Sequence, residues 1–138
     1  MNTQKFLLVL SMSLLVITCD SDDDNGDQQQ LPTEVLLVSG KWYFESRTPG
    51  SYTDCEKTGY VQFMENGTFM LENFEDDADT CMSNGVFTGS YTLTNGVNLT
   101  LIAGTESQSA VINSITQTEL KITNASDGEQ IVFDKSEG

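Results

Sequence analysis

The chain has 138 residues, and 21 acidic side chains against 6 basic ones give it a formal net charge of −15 at pH 7. It contains no histidine, which excludes Ser-His-Asp and Cys-His catalysis, histidine general bases and histidine metal ligands. The acidic balance disfavours nucleic acid and anionic lipid headgroups as partners.

The first 18 residues predict export. Lys5 is followed by an apolar run from Phe6 to Ile17, which is the pattern of a secretion signal peptide. As a helix this run would rise only roughly 18 Å, whereas the hydrocarbon core of a bilayer is about 30 Å thick. The run is therefore too short to be a membrane-spanning helix, and residues 1–18 are predicted to be cleaved.

The apolar run stops at a cysteine. The stretch 16-VITC-19 resembles the lipobox of bacterial lipoproteins, in which the cysteine is lipidated and becomes the new N-terminus. The resemblance implies attachment to the outer membrane through lipid on Cys19, because two or more acyl chains give stable anchoring. Ordinary secretion is the alternative.

Residues 19–35 follow as an acidic segment with no apolar periodicity before Leu31, which predicts a disordered tether. Its first acids resemble the signal that sends lipoproteins of the Bacteroidetes to the outer face of the outer membrane. That resemblance implies display at the cell surface, with a plain spacer on the periplasmic face as the alternative. The residues that carry it are Ser21, Asp22, Asp23 and Asp24.

Residues 36–138 predict an all-β domain. Short alternating runs are separated by tight-turn signals such as Asn66-Gly67, Asn95-Gly96 and Asp127-Gly128. Short connections favour an eight-stranded antiparallel up-and-down meander, which closes into a barrel and so leaves no exposed edge. A two-sheet sandwich is the alternative. The predicted strands are 41–47, 59–64, 68–74, 86–93, 97–103, 107–114, 118–123 and 129–135.

The alternation also predicts which side chains face the interior. Large ones near Gly40 should close that end of the barrel, whereas small ones, such as Ser46, Ala103 and Ser109, should leave room at the other end. The large inward side chains are Trp42, Phe44, Val61, Phe63, Leu71, Val97, Leu99, Leu101, Leu120, Ile122, Ile131 and Phe133.

Four short motifs follow one another along the chain, and their order resembles that in the lipocalin and fatty-acid-binding-protein superfamily. The similarity is greatest to the small lipocalin-like lipoproteins of the Bacteroidetes, covers about residues 36–135, and implies a barrel that binds a small apolar ligand. A full lipocalin also has a C-terminal helix packed on the barrel, which this sequence does not show. The motifs are 40-GKW-42, 54-DCEK-57, 66-NGTF-69 and 75-EDDADTC-81.

Cys55 and Cys81 remain as a pair in an exported protein, and oxidation is the default outside the cell. In a meander, the loops after the first and third strands lie at the same end of the barrel. The two cysteines are therefore predicted to form a disulfide, which would stabilise the fold by roughly 3.5 kcal/mol on the chain-entropy model. Two sulfurs without a histidine make a poor zinc site.

The acidic run 75–81 is predicted to be a solvated loop at the same end. This run is the one dense source of carboxylates that the domain offers for catalysis. Glycosidases use two carboxylates, but they hold them on rigid walls and not on a loop, so we expect no enzyme. Calcium is a weaker alternative, with Asp76, Asp77 and Asp79 as its candidate ligands. No other metal and no cofactor is expected.

The predicted function is the binding of a small apolar ligand by a lipid-anchored barrel. The alternative is a barrel filled by its own side chains that meets a protein or glycan partner through its surface or loops. The pocket is predicted to open at the acidic end and to favour neutral or cationic ligands. Its predicted residues are Trp42, Phe44, Phe63, Leu71, Leu99, Leu101, Leu120 and Phe133.

Overall fold

A computed structural model describes residues 30–138 of the chain, and the predicted signal peptide and most of the predicted tether lie outside this range. Its eight strands form one closed barrel in which each strand pairs antiparallel with its sequence neighbour and β8 pairs with β1. The predicted eight-stranded meander barrel is confirmed. The strands are β1 (Lys41–Thr48), β2 (Tyr60–Phe63), β3 (Thr68–Asp77), β4 (Thr80–Thr94), β5 (Asn98–Ala103), β6 (Glu106–Ile115), β7 (Glu119–Asn124) and β8 (Gln130–Asp134).

The two ends of the barrel differ in their connections. The end where β1 begins, which we call the closed end, carries the short turns β2–β3, β4–β5 and β6–β7. The turn at Asn95-Gly96 has φ values of 54° and 68°, as its sequence predicts. The opposite end, which we call the mouth, carries the long β1–β2 connection with a 3-10 helix at Glu56–Thr58.

A short helix, α1 (Thr33–Leu37), closes the barrel at the end where β1 begins. Leu36 and Leu37 are buried in the core, and Leu37 is 0% exposed. The domain predicted from the sequence is all-β and begins at residue 36, which lies within this helix. A helix of one turn is too short to show a 3.6-residue apolar period, which is the signal that identifies longer helices.

Three strand pairs shift register by one residue, with the extra residue at Glu45 in β1, at Asn84-Gly85 in β4 opposite Asn73, and at Asn113 in β6. Such a bulge turns the following side chains to the opposite face. The inward prediction for Ser46 is therefore wrong: Arg47 pairs with the inward Ile131 instead.

Two other inward predictions are also wrong. Val97 precedes β5 and is 42% exposed. Ser109 borders the cavity of the barrel, but it pairs with Thr100 and its hydroxyl lies 3.4 Å from that of Thr100, on the outer face of the sheet. The inner face of β6 carries Ala110 and Ile112, one residue out of step with the predicted face.

The core fills the closed half of the barrel. Phe63 lies edge-on to Tyr91, with ring centroids 5.0 Å apart, and next to Phe69 at 6.5 Å. Gly89 pairs with Phe69, and a Cβ at Gly89 would lie 2.7 Å from the Phe69 ring. This glycine therefore makes room for the aromatic layer. None of the helices within residues 30–138 is long and apolar enough to cross a membrane.

Candidate functional site

The barrel interior contains a cavity of about 210 Å³ between this aromatic layer and the mouth. Its floor consists of buried side chains at the closed end, and its apolar walls come from successive strands. Among the residues that line the cavity are seven of the eight that the alternation placed in a pocket. They are Phe44, Phe63, Leu71, Leu99, Leu101, Leu120 and Phe133.

Trp42, the eighth residue predicted for the pocket, does not line the cavity. It is 0% exposed inside the closed end, and its Nε1 donates a hydrogen bond of 2.9 Å to the carbonyl oxygen of Leu37. The Nζ of Lys135 lies 3.3 Å from the centroid of the indole ring. Trp42 thus belongs to the packed closed end of the barrel. The prediction failed because alternation shows which face of the sheet a residue occupies but not its depth in the barrel.

The position of Lys135 affects its protonation. Its Nζ is buried and has no hydrogen-bond partner among the described residues. Burial lowers the pKa of Lys135 to about 8. The indole face favours the charged amine by a cation–π interaction, which offsets part of the cost of its desolvation.

At the mouth, an aromatic chain continues the wall of the cavity outward. The ring of Phe44 lies 5.0 Å from that of Phe133 and 5.1 Å from that of Tyr52. Tyr52 comes from the long β1–β2 connection and was missed by the sequence analysis, because a residue in a loop has no alternation to reveal its direction. The connection therefore forms part of the site.

Arg47 lines the mouth, and its guanidinium is already engaged. The guanidinium of Arg47 is 4.0 Å from the carboxylate of Glu129, and its Nε donates a hydrogen bond of 3.1 Å to the carbonyl oxygen of Ser51. Its central carbon lies 4.8 Å from the centroid of the Tyr52 ring. Burial, and next the charge of Glu129, raise the pKa of Tyr52 to about 12.

The predicted disulfide is confirmed. Cys55 and Cys81 are bonded, with their Cα atoms 5.4 Å apart, and so fasten the β1–β2 connection to the start of β4. Thr53 and Glu56 cap the 3-10 helix reciprocally, through Thr53 N–H to Glu56 Oε2 at 2.7 Å and Glu56 N–H to Thr53 Oγ1 at 3.2 Å. These bonds hold Tyr52 over one side of the mouth.

The connection also packs closely on the barrel wall. Gly59 lies where a Cβ would be 2.9 Å from the carbonyl oxygen of Glu72, so a larger residue would push the connection outward. Lys57 adds an ion pair of 3.3 Å to Glu45. The position of the connection is therefore set by packing as well as by the disulfide.

The acidic run was predicted to be a loop, and that prediction is wrong. Glu75–Asp77 continue β3 and pair with the first residues of β4, so the run forms a projecting hairpin. Its turn is at Ala78-Asp79, with φ values of 46° and 66°.

The hairpin does not gather the three calcium candidates. Asp76 and Asp77 are consecutive in a strand and point to opposite faces, while Asp79 is in the turn. In residues 30–138 no group of three or more acidic or cysteine side chains is arranged to hold a metal ion.

Polar side chains line the cavity on the side of the mouth. They include the carboxamides of Asn73 in β3, Gln108 in β6 and Asn124 at the end of β7, and no charged residue lines the cavity itself. None of these three positions was predicted from the sequence. Asn73 and Asn124 continue the inward alternation of Leu71 and Ile122, which could have identified them, whereas the predicted inward face of β6 was one residue out of step with Gln108.

The predicted lipidation and export residues lie outside the described part of the chain. They are Cys19, Ser21, Asp22, Asp23 and Asp24.

The chain matches a family model for a lipocalin-like domain over residues 38–122, which is more than half of its length. The chain belongs to the lipocalin-like domain family. A crystal structure of a lipocalin-like protein from Bacteroides uniformis ATCC 8492 is similar to this lipocalin-like barrel, with a TM-score of 0.54 and 15% sequence identity over 72% of this chain and 99% of that one. The siderocalin Ex-FABP aligns with a TM-score of 0.47 and 12% identity, over 74% and 76% of the respective chains. No curated protein matches the sequence.

The family match confirms the resemblance that the sequence motifs indicated, and the Bacteroides structure supports the fold. Domains of this family are typically binding proteins rather than enzymes. Membership in the lipoproteins of the Bacteroidetes stays a prediction.

Proposed function

We propose that this lipocalin-like barrel binds a small apolar molecule in the cavity that opens at its disulfide-bearing mouth. The observation that carries the proposal is the cavity of about 210 Å³ with apolar walls in a barrel whose other end is plugged. Pockets of this kind, with a few polar groups at one side, are typical of small-molecule sites. A barrel filled by its own side chains would have left no such space.

The cavity also indicates the size of the ligand. Its volume is below the range of about 300–1,000 Å³ that is usual for drug-sized ligands. The ligand is therefore small, or it leaves part of its length in the mouth, where Tyr52 and Phe44 would contact it.

We further propose that lipid on Cys19 anchors the protein to the outer membrane, with the domain on the cell surface. The support is the sequence of residues 1–24 together with one feature of the fold. Helix α1 contacts the closed end, so the chain enters the barrel on the side opposite the mouth. An anchor on this N-terminal segment would leave the mouth free to face away from the membrane.

The ligand proposal is tested by titrating the neutral apolar probe N-phenyl-1-naphthylamine into the chain of residues 20–138. This chain includes every described residue and the complete core of the closed barrel. We expect saturable fluorescence enhancement with one site per chain. A linear, unsaturable signal would contradict ligand binding and would favour the alternative of a protein or glycan partner.

A further inference from the structure

The polar residues that line the cavity are uncharged, and three of the four, all but Ser109, carry carboxamides. Asn73 lies in β3 opposite the bulge of β4, Gln108 pairs with Leu101, and Asn124 pairs with Ala110. All three lie on the mouth side of the apolar floor and line the cavity with carboxamide side chains. A carboxamide offers both an acceptor oxygen and an N–H donor pair, without a formal charge.

One of these carboxamides is held in a defined orientation. The Oδ1 of Asn124 accepts hydrogen bonds from the backbone N–H of Ser126 at 3.2 Å and from its hydroxyl at 3.1 Å. Because the oxygen is engaged in this turn, the Nδ2 group of Asn124 is left to donate to a ligand. The half-buried Asn73 and the exposed Gln108 add two further carboxamides on other strands.

Charged side chains lie around the cavity rather than in it. Glu56 and Glu75 line a recess of the mouth beside Arg47, and Glu106 lines a second recess. Arg47 is already paired with Glu129. A carboxylate head group in the cavity would be repelled by these acids. An ammonium head group would be attracted by them, but it would lose water in the cavity without a charged partner in contact.

We infer that the cavity selects ligands by their head group, taking an apolar body with an uncharged, hydrogen-bonding end such as a primary amide or an alcohol. The carboxamides of Asn73, Gln108 and Asn124 are the residues that determine this selection. The inference rests on the proposed ligand-binding function and narrows it to one chemical class. It also departs from the sequence-based expectation that a cationic end is as suitable as a neutral one.

The test compares four ligands with the same eight-carbon chain: octanamide, octan-1-ol, octylamine and octanoate. Each displaces N-phenyl-1-naphthylamine from the chain of residues 20–138 at pH 7. We expect octanamide and octan-1-ol to bind at least tenfold more tightly than octylamine and octanoate. Equal affinities, or tighter binding of either charged ligand, would overturn the head-group inference and leave ligand binding intact. If neither the probe nor any of the four ligands binds, the proposed function itself fails.

Variants locate the selection in the named residues. Asn73→Leu and Gln108→Met replace the carboxamide with apolar groups of similar size, and each is expected to lower the affinity for octanamide about two- to tenfold relative to the affinity for the apolar probe. Gln130→Met is the matched control, because Gln130 is exposed on β8 next to the inward Ile131. Unchanged octanamide affinity in both cavity variants would show that the carboxamides do not contact the head group.

A last variant separates this inference from an anionic site. Arg47→Met should leave octanamide affinity unchanged, because Arg47 lines the neighbouring recess and not the cavity. Preferential binding of octanoate that Arg47→Met abolishes would assign the head-group site to Arg47 and overturn the inference.

Discussion

The indole Nε1 of Trp42 donates a hydrogen bond of 2.9 Å to the carbonyl oxygen of Leu37, and it joins β1 to the helix that closes the barrel. Trp42 and Leu37 are both fully buried. The bond satisfies the polar atom of an otherwise apolar side chain, which would cost free energy if it were buried alone. The closed end is therefore a packed structure, and the space for a ligand lies toward the mouth.

This packing predicts a large effect of shortening Leu37. Leu37→Ala should lower the free energy of unfolding by about 2–5 kcal/mol, because it removes a fully buried side chain and leaves a cavity. Val35→Ala, in the same helix but at a side chain that is 49% exposed, should change it by less than about 0.5 kcal/mol. Urea unfolding measures both. Equal effects of the two substitutions would mean that α1 does not plug the barrel.

The disulfide predicts a second change in stability. Cys55→Ser combined with Cys81→Ser should lower the free energy of unfolding by about 2–5 kcal/mol, because the unfolded chain loses its cross-link. Mass spectrometry of the oxidised protein should show the loss of two hydrogens relative to the reduced form. Two reactive thiols from these cysteines in the oxidised, exported protein would refute the bridge.

The shifted pKa values of Lys135 and Tyr52 predict how stability depends on alkaline pH. Between pH 8 and 10.5 the unfolded state keeps the Lys135 proton that the folded state has lost, so the free energy of unfolding rises with pH. Between pH 10 and 12 the folded state keeps the Tyr52 proton that the unfolded state has lost, so the free energy of unfolding falls as the pH rises. Burial also raises the pKa of Tyr91, which adds to the fall.

Stability should therefore have a maximum near pH 10, measured by urea unfolding across the alkaline range. Lys135→Met should remove the rise, and Tyr52→Phe should reduce the fall. A decline that begins at pH 8 in the unmodified protein would mean that Lys135 stays charged beside Trp42.

The anchor is tested in cells. Cys19→Ala should leave the precursor uncleaved and without lipid, so the amount of mature lipoprotein in the membrane fraction should fall to background. Immunoblotting of fractions after lysis, with metabolic labelling by a fatty acid, measures both. Unchanged labelling of the variant would refute lipidation at Cys19.

Surface display makes a narrower prediction. Replacing Asp22, Asp23 and Asp24 together by Ala should preserve labelling but protect the protein from protease added to intact cells. The unmodified protein is the control and should be digested. Equal digestion of the variant and the unmodified protein would mean that the acidic run acts only as a spacer.

The sequence predicted the number and order of the strands because each has a period of two and most connections carry Gly at a tight turn. It could not predict the bulges at Glu45 and Asn113, since one extra residue in these strands leaves no local signal. The bulge at Glu45 decides that Arg47 faces the mouth. The depth of Trp42 depends on α1, and the place of Tyr52 depends on a loop, so both follow from tertiary packing.

The most direct test of ligand binding inside the barrel is to fill the cavity with one larger side chain on its wall. Ala110 lines the cavity, whereas its neighbour Val111 is 40% exposed on the outer face of β6. Ala110→Phe and Val111→Phe add an aromatic ring at adjacent positions, and thermal melting establishes that each variant is folded. The account predicts that N-phenyl-1-naphthylamine binding is lost in Ala110→Phe and retained in Val111→Phe. Retention of full affinity in a folded Ala110→Phe variant would contradict ligand binding inside the barrel.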